Sequence, residues 1–351
     1  MNLGAYVLRR ALLSVVVIFG TIAVTFFLSH IVPANPAILL AGQNPTPEQV
    51  ARITTQLGLD KPLYIQFVIY VENLLSGSLG LSPAFSLQPV LPLILQALPN
   101  TLTLAALATL VAVGLGIPIG VEAARSTSKK TDALLRIFSV SFVALPQFWL
   151  GLLLQLIFAV RLGIFPLSSY GGTLLYTDIH PIRTVTGSYL LDTILTGDIS
   201  GFLAVARSMV LPVLTLAFFP LGYIARHTRS SVQGVLSQDY IRTARAYGIS
   251  EREINYRFAL RNALAPILVI MGIIFATSAI SVFYVEDVFV LAPGLGFIIR
   301  IASGTGISST GIGSVDFTLI LGVAIVSAVL YVGANFAVDL LQAYYDRRIL
   351  G

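Results

Sequence analysis

The chain has 351 residues, 56% of them hydrophobic and only 11% charged, with a formal net charge of +5. Ordinary soluble domains are about half apolar and about a quarter charged. So little charge argues against a soluble enzyme, against a disordered chain, which needs low hydrophobicity, and against a nucleic-acid binder. Cysteine is absent, which removes disulfides, thiolate metal sites and cysteine nucleophiles.

A membrane-crossing helix needs roughly 20 mostly apolar residues. Six stretches meet that length, at about 11–31, 99–121, 134–160, 209–225, 264–285 and 317–341. The first follows Arg9 and Arg10, yet its run is too long for a signal-peptide core and no small-residue cleavage site follows at 32–37. It reads as a retained anchor helix. Residues 1–97 then form an anchor helix plus an outer segment, and 98–351 a five-helix core.

In the outer segment, Thr46-Pro47-Glu48-Gln49 carries helix-start chemistry: a capping hydroxyl, proline in the first turn and a glutamine able to reach back. Gly58 ends that helix. Pro62 opens a second one, stopped by Gly77, whose apolar face (Leu63, Phe67, Tyr70, Leu74) suits a membrane surface. Packing on the outer ends of spans and docking of a partner are both open to these helices. Gly116-x3-Gly120 is a small-residue packing face, and Pro118 between the two predicts a kink. Residues 162–208 form a second outer segment of weak periodicity. The Gly/Ser/Thr loop at 304–313 has neither a preceding strand nor an acidic residue at the needed distance after it, so it is no dinucleotide fingerprint.

The segment 229–263 reads as two short helices with a hinge. Ser237 is expected to cap the first and Asp239 to sit in its first turn. Gly248 falls where a left-handed helix end belongs, and Ser250-Glu251-Arg252-Glu253 is a capping box for the second. Ile241, Ala244 and Gly248 share one face, Arg242 and Arg245 another. Such a rigid projection fits a socket on another protein; a solvated loop whose arginines only fix topology remains the other reading.

Lys and Arg counts set orientation. With the N-terminus inside, fifteen of the 21 basic residues fall on inner segments, namely Arg9, Arg10, Arg125, Lys129, Lys130, Arg136, Arg226, Arg229, Arg242, Arg245, Arg252, Arg257, Arg261, Arg347 and Arg348. Both termini are therefore expected in the cytoplasm and the number of spans is expected to be even.

Several chemistries lack their residues. The three lysines, Lys61, Lys129 and Lys130, stand outside any Gly-x4-Gly-Lys-Ser/Thr phosphate loop. The histidines, His30, His180 and His227, are scattered and build no metal site, and no GxSxG elbow is present. Charges within spans would mark ion coupling, and here Glu122, Arg161, Glu286, Asp287 and Asp339 sit at or near span ends. A pore for a polar solute would be lined by neutral groups. Candidates are Ser139, Ser141, Gln147 and Gln155 in the third span, and Thr277, Ser278 and Ser281 in the fifth, although an interhelical hydrogen bond is the more ordinary role for each.

The inner loop reads Asp239-Tyr-Ile-Arg-Thr-Ala-Arg-Ala-Tyr-Gly-Ile-Ser-Glu, then Arg261-Asn262-Ala263-Leu264-Ala265-Pro266. It resembles the EAA-type coupling segment of ABC-transporter permeases, more narrowly the B-type permease of the dipeptide/oligopeptide/nickel importer family. Residues 57–66 (LGLDKPLYIQ), 98–104 (LPNTLTL), 145–151 (LPQFWLG), 161–170 (RLGIFPLSSY), 286–296 (EDVFVLAPGLG) and 346–349 (DRRI) keep that family's order. Arg242 stands at the EAA glutamate position, 171–208 reads as an outer insertion, and 304–313 is longer and more glycine-rich than the pattern. The resemblance implies an all-α polytopic membrane protein of type I ABC-importer permease architecture in the plasma or inner membrane. It implies a half-channel paired with a second, homologous permease, two cytoplasmic ATPase subunits that use ATP and Mg, and an extracytoplasmic solute-binding protein. This chain would contact lipid and its partners, bind no cofactor or metal of its own and catalyse nothing. Asp239, Tyr240, Arg242, Thr243, Ala244, Arg245, Ala246 and Gly248 would couple it to an ATPase. The implied cargo is peptide or another oligomeric polar solute; relatives of this kind also handle nickel, opines and oligosaccharides. An ion-coupled carrier and a non-transporting membrane scaffold are the rival functions.

Overall fold

Backbone hydrogen bonding carries these helices well past the apolar runs that announce them. The computed structural model describes residues 3–31, 37, 45–56, 58–125, 145–167, 182–291, 293–304 and 315–345. Helix α1 (Leu3–Ile31) is followed by α2 (Pro47–Gln56) and α3 (Leu63–Leu75). A two-residue antiparallel pairing of β1 (Leu81–Ser82) with β2 (Gln88–Pro89) leads into α4 (Val90–Arg125). Helix α5 (Gln147–Leu154) continues into a wide, π-helical stretch, Gln155–Arg161. The short α6 (Tyr189–Thr196) precedes α7 (Ile199–Leu236) and α8 (Asp239–Ala246). One turn at Glu251–Glu253 and a second π-helical stretch, Ile254–Ala259, enter α9 (Leu260–Phe289). Helices α10 (Leu295–Ala302) and α11 (Phe317–Tyr345) complete the described chain.

Among the described residues, four helices are long and apolar enough to cross a membrane: Gly4–Ser29, Val90–Arg125, Ile199–Leu236 and Phe317–Leu340. The pair Glu251–Leu264 and Pro266–Ser278, bent by 60°, makes a fifth if counted as one span. Six spans were expected. The first half of the third, 134–144, lies outside the described residues, and the fifth is broken at Pro266, where the missing N–H and the ring interrupt the ladder.

Boundaries differ most at α7. Its predicted span, 209–225, sits inside a helix of 38 residues, about 57 Å at a rise of about 1.5 Å per residue. Residues 199–208, expected in the outer segment, and 229–236, expected in the inner loop, belong to it. An apolar run reports hydrocarbon thickness, whereas a helix continues wherever a face is buried, and Val205, Val232 and Val235 bury such a face beyond the run. Pro212 and Pro220 lie inside α7, and Pro99 and Pro118 inside α4, without ending either helix.

Helices α4 and α7 meet through glycine. A Cβ on Gly116 would stand 3.0 Å from the Ile224 side chain and 3.1 Å from the Leu221 carbonyl oxygen; one on Gly120 would stand 2.6 Å from the Ala225 carbonyl oxygen and 2.6 Å from Thr228. The Gly-x3-Gly face therefore packs backbone against backbone. Around it lie Leu104, Ala108 and Ala112 of α4, Met209, Leu216 and Ile224 of α7, and Ile274, Val282 and Phe289 of α9. Helix α1 joins the bundle through α11, with Arg10 paired to Asp339. Helix α3 packs on α1: Phe67 meets Phe19 and Phe26 edge-on at centroid distances of 5.8 and 5.1 Å, and the Tyr70 hydroxyl donates to Thr25 at 3.3 Å. Thr46 and Gln49 form the expected reciprocal cap, at 3.3 and 3.0 Å, and Gly58 and Gly77 take the left-handed conformation.

Replacing Gly120 by valine forces the two backbones apart. We expect a loss of about 1–3 kcal/mol, read as a lower thermal unfolding midpoint in detergent. Gly114→Ala, where an added Cβ meets nothing within 4 Å, is expected to stay within about 0.5 kcal/mol of the parent.

Candidate functional site

Three apolar side chains hold α8 down. Ile241 and Ala244 of α8 pack with Ile254, flanked by Leu236, Ile249 and Phe258. The same helix turns Arg242, Thr243, Arg245 and Ala246 outward, and Tyr247, just past its end, is 83% exposed. Gly248 adopts φ 76°, and its N–H donates to the Arg245 carbonyl at 3.0 Å while Ile249 N–H donates to the Ala244 carbonyl at 3.2 Å. A left-handed residue with paired return bonds is how helices are commonly terminated, and glycine accepts that φ without a steric penalty. Ser250 Oγ accepts from the Glu253 N–H at 3.3 Å. Arg245 reaches across the turn to Glu251 at 2.7 Å, and Asn262 of α9 donates to the Tyr240 hydroxyl at 2.8 Å. Arg242 stands 3.5 Å from Asp239. Both ion pairs are solvent-exposed, so each contributes at most about 1 kcal/mol; Arg242–Asp239 lies within α8, and Arg245–Glu251 ties α8 to the next turn.

One cap differs from expectation. Ser237 closes α7, its hydroxyl donating to the Gly234 carbonyl at 2.8 Å, and α8 starts after Gln238 without a side-chain cap. The longer α7 takes the serine for its own last turn.

The pore candidates separate by environment. Ser139 and Ser141 lie outside the described residues. Gln147 Nε2 donates to the Leu216 carbonyl of α7 at 3.3 Å. Gln155 is buried and donates to the carbonyls of Leu167, at 2.8 Å, and Val288, at 3.2 Å. Ser278 is buried too. Thr277 is exposed and Ser281 half-buried, one turn apart on α9, each donating to a carbonyl of its own helix: Thr277 to Ile273 at 3.0 Å and Ser281 to Thr277 at 3.3 Å. Of the five described candidates, these two occupy an open helix face.

At the end of the bundle opposite α8, polar groups are buried in a clasp that composition gave no reason to single out. Glu286 of α9 is fully buried. One carboxylate oxygen accepts from Thr101 Oγ1 of α4 at 2.7 Å and the other from the Gly296 N–H at 2.6 Å, while the Thr101 oxygen accepts from the Leu295 N–H at 2.9 Å. Two free N–H groups of the first turn of α10 are thus capped from two other helices, and the helix dipole favours the carboxylate there. Gly294 leaves room for the group, since a Cβ there would stand 2.6 Å from it. The Pro-Gly-x-Gly run seven residues after the acid was the available signal. Asp316 caps α11 at the Leu319 N–H, 2.9 Å away, and also accepts from Ser82 and from the Ala84 N–H. Asp192 of α6 accepts from the Thr186 N–H and hydroxyl, both at 2.7 Å, and from the Gly187 N–H at 3.1 Å. Asn100 of α4 holds that turn from below, donating to the Gly187 carbonyl and accepting from the Tyr189 N–H, both at 3.0 Å.

Long apolar helices, an exposed arginine-bearing helix at one end and buried polar clasps at the other define a multi-pass membrane component. The chain belongs to the family of binding-protein-dependent transport system inner membrane components: that family's pattern matches residues 116–351, and its N-terminal companion matches residues 3–105. It is 39% identical over 335 residues to the probable D,D-dipeptide transport system permease of Escherichia coli, covering 95% of this chain and 94% of that one. It is 34% identical over 345 residues to the dipeptide transport system permease of Alkalihalophilus pseudofirmus, covering 98% and 99%. It is 31% identical over 347 residues to an oligopeptide transport system permease of Bacillus subtilis, covering 99% of each chain. The chain is thus a cell-membrane transport permease component rather than an enzyme, of a family that works with separate ATPase subunits and a solute-binding protein. The carrier and scaffold alternatives give way to this membership.

Burial alone would push the Asp192 carboxyl up, but the hydrogen bonds from Thr186 and Gly187 outweigh it and hold the group below the usual carboxylate value. A depressed folded pKa contributes stability above the unfolded value of about 3.9 and loses it as pH falls through the folded one. Asp192→Asn is therefore expected to lower stability by about 1–3 kcal/mol at pH 6. The gap to the parent should narrow only below about pH 4, in unfolding curves recorded across that range.

Proposed function

We propose that the chain is one of two homologous permease subunits of an ATP-driven peptide importer. Two ATPase subunits bind at the arginine-rich end and a solute-binding protein delivers cargo at the opposite one. The observation that carries this reading is α8: Ile241 and Ala244 are buried, Arg242, Thr243, Arg245 and Ala246 are presented outward, Gly248 ends the helix and Ser250 caps the turn that follows. On this reading the outward face enters a socket on the ATPase, Asp239 belongs to that face, and Tyr240 and Gly248 set its tilt. Basic residues gather at that end, which supports a cytoplasmic location by the positive-inside rule. Peptide as cargo is supported by the transport systems to which the three relatives belong. Thr277 and Ser281 are the neutral groups best placed to meet it, since a translocated peptide needs hydrogen-bonding partners that release it readily.

Two experiments test this. In the complete importer in proteoliposomes, ATP should drive uptake of L-alanyl-L-alanine or D-alanyl-D-alanine; failure with both dipeptides would remove the peptide assignment. A cysteine introduced as Ala246→Cys should crosslink to an ATPase subunit in native membranes, with a yield that changes on adding ATP. Gly248→Asp places a side chain at a left-handed position and should leave insertion intact while lowering uptake at least about tenfold, the effect of some 1.4 kcal/mol. Normal uptake by that variant would contradict the coupling role.

A further inference from the structure

The stretch between α8 and α9 holds a buried amide that is unsatisfied among the described residues. Asn255 is fully buried, and neither its Nδ2 nor its Oδ1 has a hydrogen-bond partner among the described residues. Buried polar side chains are normally paired, because an unpartnered amide forfeits its bonds to water without replacement. The contrast with the other π-helical stretch is direct: Gln155, at the start of Gln155–Arg161, is also buried, and its amide donates to two carbonyls.

The surroundings of Asn255 give the orphan amide a meaning. Its neighbour Ile254 packs with Ile241 and Ala244 beneath α8. Four residues on, Ala259 packs with Val121 of α4, Val232 and Val235 of α7, and Ala263 and Ile267 of α9. One stretch therefore joins the core under the exposed helix to the core among the spanning helices. It is wound as a π-helix, with the Leu260 N–H donating to the Asn255 carbonyl five residues back. A π-turn accommodates one more residue than an α-turn and recurs at functional sites. Rewinding it to α changes the register by one residue, and one residue is about 100° of helix rotation. Such a change is discrete, because close-packed cores switch between arrangements instead of deforming continuously.

We propose that Ile254–Ala259 is a two-register joint between α8 and the spanning helices, and that Asn255 is its positioning residue. The Asn255 amide is unpaired in the π register and finds partners in the α register, so it favours the second state. Movement of α8 is then converted into rotation of α9 against α4 and α7. This rests on the coupling reading of α8 and goes beyond it by locating the moving part.

The test uses the assembled importer in nanodiscs and proteoliposomes with the variant Asn255→Leu, which matches the side chain in size and removes the polar atoms. In the parent, hydrogen exchange of backbone amides 254–261 is expected to change at least about fivefold when nucleotide is trapped with Mg-ATP and vanadate. In Asn255→Leu the unfolding midpoint rises, because an unpaired buried amide is gone, while the nucleotide-linked exchange change disappears and dipeptide uptake falls at least about fivefold. Loss of uptake with a raised midpoint is an outcome that a purely structural role cannot give. The proposal is overturned if Asn255→Leu keeps the parent's exchange response, or if its midpoint falls, which would mean the amide is already satisfied in this state. Asn255→Ala carries the same exchange and uptake comparison should the leucine variant not assemble. The exchange measurement needs no cargo: a parent that responds to nucleotide but imports neither dipeptide would sink the peptide reading alone, and a parent that imports without any exchange change at 254–261 would sink the joint alone.

Discussion

The close approach of α4 and α7 at Gly116 and Gly120 is the constraint on which the other contacts depend. Two helix backbones meet there with no room for a Cβ. In a bilayer, apolar side chains gain little by leaving lipid for one another, so close packing of small residues and interhelical hydrogen bonds must hold helices together. Once α4 and α7 are fixed, α9 is seated against both by Ile274, Val282 and Phe289. Its far end then brings Glu286 to Thr101, and its near end brings Ile254 under α8.

The two ends of that three-helix unit are built differently. The end opposite α8 is dense in satisfied buried polar groups: Glu286 caps α10, Asp316 caps α11 and ties in Ser82, and Asp192 and Asn100 hold the turn before α6. Fully paired networks of this kind rigidify their surroundings. The α8 end carries exposed ion pairs, which contribute little, together with a π-helical entry and, among the described residues, an unpaired amide at Asn255. Rigidity at one end and an under-satisfied joint at the other is a physical asymmetry suited to a component driven from one side.

Much of the site was legible because its signals are local. Capping and glycine rules read the end of α8 at Gly248 and the Ser250 start from a dozen residues, since each depends on φ or on one side-chain bond to its own backbone. The same locality misled at Ser237, because whether a serine ends one helix or begins the next depends on how far α7 continues. That is decided by Val232 and Val235 packing against Val121 and Ala259, over a hundred residues away in one case. The shape of the fifth span was missed for a related reason. Hydropathy windows register apolar length, and they do not register the 60° break at Pro266.

The sequence by itself determined that the chain lives in a membrane, that α8 is a short rigid helix with separate apolar and arginine faces, and that α4 offers a glycine face. Those properties follow from composition, periodicity and backbone stereochemistry, which act over a few residues. Only the tertiary structure decided that Glu286, near its helix end, is buried, that Gln155 is a structural donor while Thr277 and Ser281 remain on an open face, and that Asn255, between two cores, has no partner among the described residues. A polar group's role depends on which distant donors and acceptors the fold brings within about 3 Å of it.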